Sequence, residues 1–218
     1  MIVGSDGSVY VADTGNKRVR VYSAEGVFLR DIGGGGSLPG ELDEPVGLAL
    51  APDGRLFVAD TWNRRISIFD SNGTFITSFN VEGWTGKPNS LPYLALDAAR
   101  NMLYVSDGDA GRILVYNTAG ECVGAFGQYN IEQPNATQFA AIGGLALDSV
   151  GNLYVSDTGS ARVLRFTPFP ESAVELNSAP DDSFAIEGLA NQAEATQEAQ
   201  AADAESTEET PPEATSGQ

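Results

Sequence analysis

The sequence predicts an all-β fold, a propeller of about four four-stranded antiparallel blades followed by a disordered acidic tail. Three observations predict it. One motif recurs at a near-constant period, each copy consists of short strands between tight turns, and the composition changes after residue 176.

Four apolar runs end in an aspartate, at Asp13, Asp60, Asp107 and Asp157, spaced 47, 47 and 50 residues apart. Five positions after each stands an arginine: Arg18, Arg65, Arg112 and Arg162. Upstream, "GLALAPDGRLFVAD" from Gly47 aligns with "YLALDAARNMLYVSD" from Tyr93 and "GLALDSVGNLYVSD" from Gly144. A period of this length means either a propeller or a helical solenoid.

The local pattern decides for strands. "GLALA", "RLFVAD", "RISIFD" and "TFITSF" are short, apolar and rich in β-branched and aromatic residues. Turn pairs bound such runs, at Asp6-Gly7, Asp53-Gly54, Asn72-Gly73 and Ala119-Gly120. Such pairs favour hairpins and leave no room for a helix of useful length. Four antiparallel strands of about five residues make one blade. The runs are apolar throughout, as expected where both faces of a blade pack on neighbours. The blades are placed near residues 1–33, 45–80, 92–127 and 142–176, and the tail at 177–218.

That tail has ten acidic residues, ten alanines, no Lys or Arg, and one aromatic, Phe184. Such a segment cannot bury enough apolar area to offset its ordering entropy, so disorder is expected. A docking role for Phe184, Ile186 and Leu189 is the less favoured reading.

Composition excludes several functions. The 218 residues hold 30 acidic and 12 basic residues, a net charge of −18. Residues 1–165 carry −6 of it. An acidic chain without a basic patch is a poor match for nucleic acid or an anionic membrane. There is no histidine, which removes His-based triads, general bases and zinc sites. The single Cys122 excludes an intramolecular disulfide and a cysteine metal cluster. No apolar run approaches the ~20 residues of a membrane span, and no signal peptide is evident. The default expectation is a cytoplasmic protein, or an extracytoplasmic one if the chain belongs to a larger envelope protein.

"VADTGNKRVRVYSAEGVFLRDIG", "VADTWNRRISIFDSNGTFITSF" and their two degenerate relatives resemble NHL repeats over residues 1 to about 170. The signature Asn falls on Asn16 and Asn63, while Lys17 and Arg64 stand where the His would be. The resemblance implies a propeller, usually of six blades where this chain supplies four. It also implies a recognition or sensor role, since similar repeats serve in ubiquitin ligases, receptor kinases and bacterial glycosyltransferase appendages. Val3 aligns with Leu50, so the counterpart of Pro45 to Gly47 is missing from the first copy. A fragment of a longer propeller, or a ring assembled with another copy, is favoured over a compact four-blade ring.

The Asp–Arg pairs admit two roles. They could line a ligand face, or each Asp could cap the turn after its strand while its Arg pairs with it. Repetition in every blade favours the structural role. Calcium is the one cofactor left open, because Asp107 and Asp109 flank a glycine and other aspartates sit at hairpins. It needs six or more converging oxygens. The enzyme alternative is a calcium-dependent lactonase, as gluconolactonase-like propellers use Glu and Asn or Asp without His. The favoured reading is a non-catalytic module binding a protein or small ligand. Trp62, Trp84, Tyr93 and Tyr129 depart from the repeat and are the candidate interaction residues.

Overall fold

The computed structural model describes residues 1–85, 91–132, 135 and 137–169. Blade 1 comprises β1 (Ile2–Val3), β2 (Val9–Asp13), β3 (Arg18–Tyr22) and β4 (Phe28–Ile32). Blade 2 comprises β5 (Pro45–Leu50), β6 (Leu56–Asp60), β7 (Arg65–Phe69) and β8 (Phe75–Asn80). Blade 3 comprises β9 (Leu94–Asp97), β10 (Met102–Asp107), β11 (Arg112–Asn117) and β12 (Cys122–Phe126). A parallel pair, β13 (Gln128–Tyr129) and β14 (Gln138–Phe139), precedes blade 4. Blade 4 has β15 (Ile142–Leu147), β16 (Leu153–Asp157) and β17 (Arg162–Phe166) within the described residues. The acidic tail, with Phe184, Ile186 and Leu189, lies outside them.

Every blade is an antiparallel meander in chain order. The turn glycines set the hairpins: Gly7, Gly54, Gly73 and Gly120 all have φ between 82° and 92°. A side chain there would be strained, whereas glycine is not. Asp70 reinforces one such turn by accepting the N–H groups of Asn72 and Thr74 at 2.8 Å each. The outer hairpins of blades 1, 2 and 3 shift register at equivalent places, Val21/Tyr22, Ile68/Phe69 and Val115/Tyr116. A bulge repeated at one position is part of the blade design.

Cores form between blades, not within them. Tyr10, Val19 and Val21 of blade 1 share a core with Leu56, Val58 and Phe69 of blade 2. Phe57, Ile66 and Ile68, on the other side of blade 2, pack with Leu103, Val105 and Tyr116 of blade 3. Tyr104, Ile113 and Val115 then pack with Leu153, Val155 and Phe166 of blade 4. Burying each such side chain stabilises the fold by about 1.5–3 kcal/mol.

Among the described residues, four blades thus share three cores, and no core joins blade 4 to blade 1. Strands β6 and β10 are buried at every position. The end blades differ, since β16 buries only every second residue. Continuous apolar runs therefore match two-sided burial in the middle blades alone.

Candidate functional site

The 2–3 turns and the connections that link one blade to the next lie at one end of the stack. The Asp–Arg pairs sit there too, and they are identical in kind. Arg65 Nε lies 2.7 Å from Asp60 Oδ2, Arg112 Nε 2.9 Å from Asp107 Oδ2, and Arg162 Nε 3.1 Å from Asp157 Oδ2. Arg18 Nε is 3.0 Å from Asp13 Oδ2.

Where the sequence suggested that each Asp caps its own turn, the turn side chains of Asn16 and Asn63 donate to Asp13 at 2.8 Å and to Asp60 at 3.0 and 2.9 Å. Asp13 and Asp157 precede short 3-10 turns and make no cap bond to them. Instead, Asp60 accepts the N–H of Asp43 at 2.6 Å, and Asp157 accepts those of Ala140 and Ala141 at 3.1 and 2.9 Å. These donors belong to the connection arriving from the previous blade.

Arginine completes the grip on that connection. Arg65 donates to the carbonyls of Ser37, Leu38 and Glu41, and Arg162 to those of Asn135 and Gln138. The Asp60–Arg65 and Asp157–Arg162 pairs are thus clamps, with the acid holding the segment's N–H groups and the base holding its carbonyls. At Asp107 the corresponding donor position includes Ser90, which is outside the described residues. Arg18 Nη1 lies 2.8 Å from Asp31 Oδ2 on β4.

Burial alone would raise the Asp157 carboxyl, but the Ala141 N–H, the Ser160 side chain and Arg162 together hold it below the ordinary value. It is a carboxylate at neutral pH, engaged on every side. Asp60, Asp107 and Asp157 are buried, so three of the four repeated pairs present no exposed carboxylate, and Asp107 Oδ1 has no hydrogen-bond partner among the described residues.

Among the described residues, no three acidic or cysteine side chains converge as metal ligands. Of the two acids flanking Gly108, Asp107 is tied to Arg112 and Asp109 accepts the hydroxyl hydrogen of Thr85 at 3.2 Å.

The four aromatic candidates separate. Trp84 is buried in the core between blades 2 and 3, so it is no surface anchor. Trp62 is 43% exposed, with Lys17 Nζ 6.0 Å from its ring centroid, and Tyr129 is 50% exposed. Tyr93 lines a cavity of about 360 Å³ between blades 3 and 4. Leu91, Asp109, Ile142 and Thr158 are among its other walls, so one carboxylate sits in a lining that is polar and apolar in near-equal parts.

Three further residues belong with this face. Leu38, Leu91 and Ile131 are exposed large apolar side chains on the connecting segments, alongside Trp62 and Tyr129 on the same end. The sequence signal was apolar residues inside Gly- and Pro-rich connections, which read first as mere linkers.

The family described as NHL repeat matches residues 2–22 and 42–69. No curated protein matches the chain. A streptogramin B lyase structure aligns with TM-score 0.56 at 18% identity, over 76% of this chain and 50% of that one. A catalytically inactive histidine-to-alanine variant of virginiamycin B lyase from Staphylococcus aureus, solved with quinupristin, aligns with TM-score 0.56 at 15% identity, covering 79% of this chain and 56% of that one. A nidogen–laminin complex aligns with TM-score 0.52 at 20% identity, over 76% of this chain and 60% of that chain. These likenesses are of fold, and the chain spans about half the length of the solved structures it resembles.

Proposed function

Because the chain carries NHL repeats folded as propeller blades, we propose that it is a binding module, for a protein or small ligand, without catalysis of its own. The observation that carries this reading is the end of the stack bearing the connections. There Leu38, Trp62, Leu91, Tyr129 and Ile131 are all 43% or more exposed. Large apolar side chains gathered on loops of a rigid scaffold are what an interface uses.

Chemistry supports the non-catalytic half. The chain has no histidine, and burial pushes the Cys122 thiol up, keeping it protonated and a poor nucleophile. A lactonase would need a calcium cage, and among the described residues no three acidic side chains converge as metal ligands. The aligned solved structures include both a lyase and a protein complex, so fold alone favours neither. The presence of a propeller in a nidogen–laminin complex supports a protein as partner. An appendage of a larger bacterial protein is the setting that suits a half-length propeller.

The test compares capture by the wild type with capture by a Trp62→Ser, Tyr129→Ser, Ile131→Ser variant. Partners retained by the first and lost by the second, at equal thermal stability, are the expected result. Equal retention would overturn the assignment of this face. Calcium-dependent lactone hydrolysis by the purified chain would overturn the non-catalytic reading.

A further inference from the structure

The two ends of the blade stack carry matching halves of one interface. On blade 1, the face turned away from blade 2 presents Val3, Val9, Val11 and Tyr22. Their register equivalents are Leu50, Leu56, Val58 and Phe69 in blade 2, and Leu147, Leu153, Val155 and Phe166 in blade 4. All of those equivalents lie in the inter-blade cores. On blade 1 the same positions are less covered, with Val3 63% exposed and Val9, Val11 and Tyr22 half-buried.

Blade 4 offers the complement. Its outer face presents Ala146, Tyr154 and Val163, the equivalents of Ala95, Tyr104 and Ile113, which are buried in the core that blade 3 makes with blade 4. Val163 is 65% exposed. Among the described residues one interface is therefore repeated three times, and the outer faces of blades 1 and 4 carry its two halves without a core between them.

We propose that a second copy of this chain occupies these faces, head to tail, with the blade 4 face of one copy on the blade 1 face of the other. The argument is continuity with the three interfaces already formed. The aromatic pair Phe69–Phe75, edge-on at 5.9 Å, recurs on the open face as Tyr22–Phe28, edge-on at 6.0 Å. One arginine on each face departs from the apolar pattern. Arg20 pairs with Asp31 at 3.3 Å and lies 5.4 and 4.5 Å from the Tyr22 and Phe28 ring centroids. Arg165 takes the place of Val21, which shares its core with Phe69 and Phe75. In the assembled pair it meets Tyr22 and Phe28 beside Arg20, a like-charge cost that Asp31 and the apolar contacts offset. Because the two halves differ, the contact is heterologous, and two copies that each use both faces close into a ring.

Light scattering after size exclusion tests this with the whole chain. The wild type is expected at about twice its 22.9 kDa, falling toward one copy on dilution. Val163→Glu spoils one half and Val3→Glu the other, and each places a charge where no partner waits. Each variant is expected to weaken association more than about thirtyfold. Both side chains are exposed, so melting temperatures should follow the monomeric wild type. Mixing the two variants leaves one intact pair of faces, and association is expected to return. A wild type that stays one copy at 100 µM would overturn the proposal, as would association undiminished in Val163→Glu. A mixture of variants that stays monomeric would overturn the head-to-tail arrangement. None of these outcomes depends on the partner proposed for the connection face.

Discussion

Arg65 and Asp60 form a clamp across 2.7 Å, closing on the segment that carries the chain from blade 1 to blade 2. Asp60 is fully buried and the Arg65 side chain is 12% exposed, so the ion pair is held out of water. Its other bonds go to the backbone of residues 37–43 and to the side chains of Asn63 and Ser67, which donate to Asp60.

Asp60→Ala is therefore expected to cost about 3–5 kcal/mol, because it strands a buried guanidinium and the Asp43 N–H. Asp13→Ala, at the half-buried pair of blade 1, is expected to shift the urea midpoint far less. Equal losses at the two sites would contradict the clamp.

Acid should loosen the same contacts. Asp157 is held below its ordinary 3.8 despite burial, with the Ala141 N–H, Ser160 and Arg162 opposing it. Asp148 is lowered by Asn152 and Asp70 by the Thr74 N–H. As pH falls through about 4, the unfolded chain takes up protons before the folded one. The stability these groups contribute is present above that window and lost below it, so stability rises with pH there. Denaturation midpoints measured from pH 2.5 to 6 should show this slope, and Asp157→Asn should flatten it.

Gly47 and Gly15 separate close packing from mere turn composition. A Cβ at Gly47 would sit 2.5 Å from the Pro92 carbonyl oxygen and 3.3 Å from the Ala59 Cβ, at the seam between blades 2 and 3. Gly47→Ala is expected to cost about 1–3 kcal/mol. A Cβ at Gly15 meets nothing within 4 Å, so Gly15→Ala should stay within about 0.5 kcal/mol in thermal denaturation.

The two tryptophans should part in the same way. Trp84→Ala opens a cavity in the core between blades 2 and 3 and is expected to cost about 3–5 kcal/mol. Trp62→Ala should leave the melting temperature within a degree or two and weaken only partner binding.

Blade 2 was legible almost residue by residue, because its strands are bounded by Asp-Gly and Asn-Gly turns and filled with β-branched residues. The repeated Asp and Arg were legible as a pair, but not the segment they hold. Asp60 and Asp43 are 17 positions apart, and strand spacing does not show which loop returns to which carboxylate. Trp84 and Trp62 looked alike in the sequence, both breaking the repeat, since burial depends on the neighbouring blade. The one-sided burial of blade 4 had a trace in Val163 and Arg165, which alternate with buried Leu164 and Phe166. That alternation replaces the unbroken apolar runs of β6 and β10.

Amide hydrogen exchange tests most directly whether four blades share only three cores. It is best measured on Val163→Glu, where copies are kept apart. Amides of β6, β7, β10 and β11, covered on both faces, should exchange slowest. Those of β2 and β3, in a full four-stranded blade covered on one face, should exchange at least about tenfold faster. Equal protection of blades 1, 2 and 3 would contradict the account, because it would require blade 1 to have a second core that the open stack lacks.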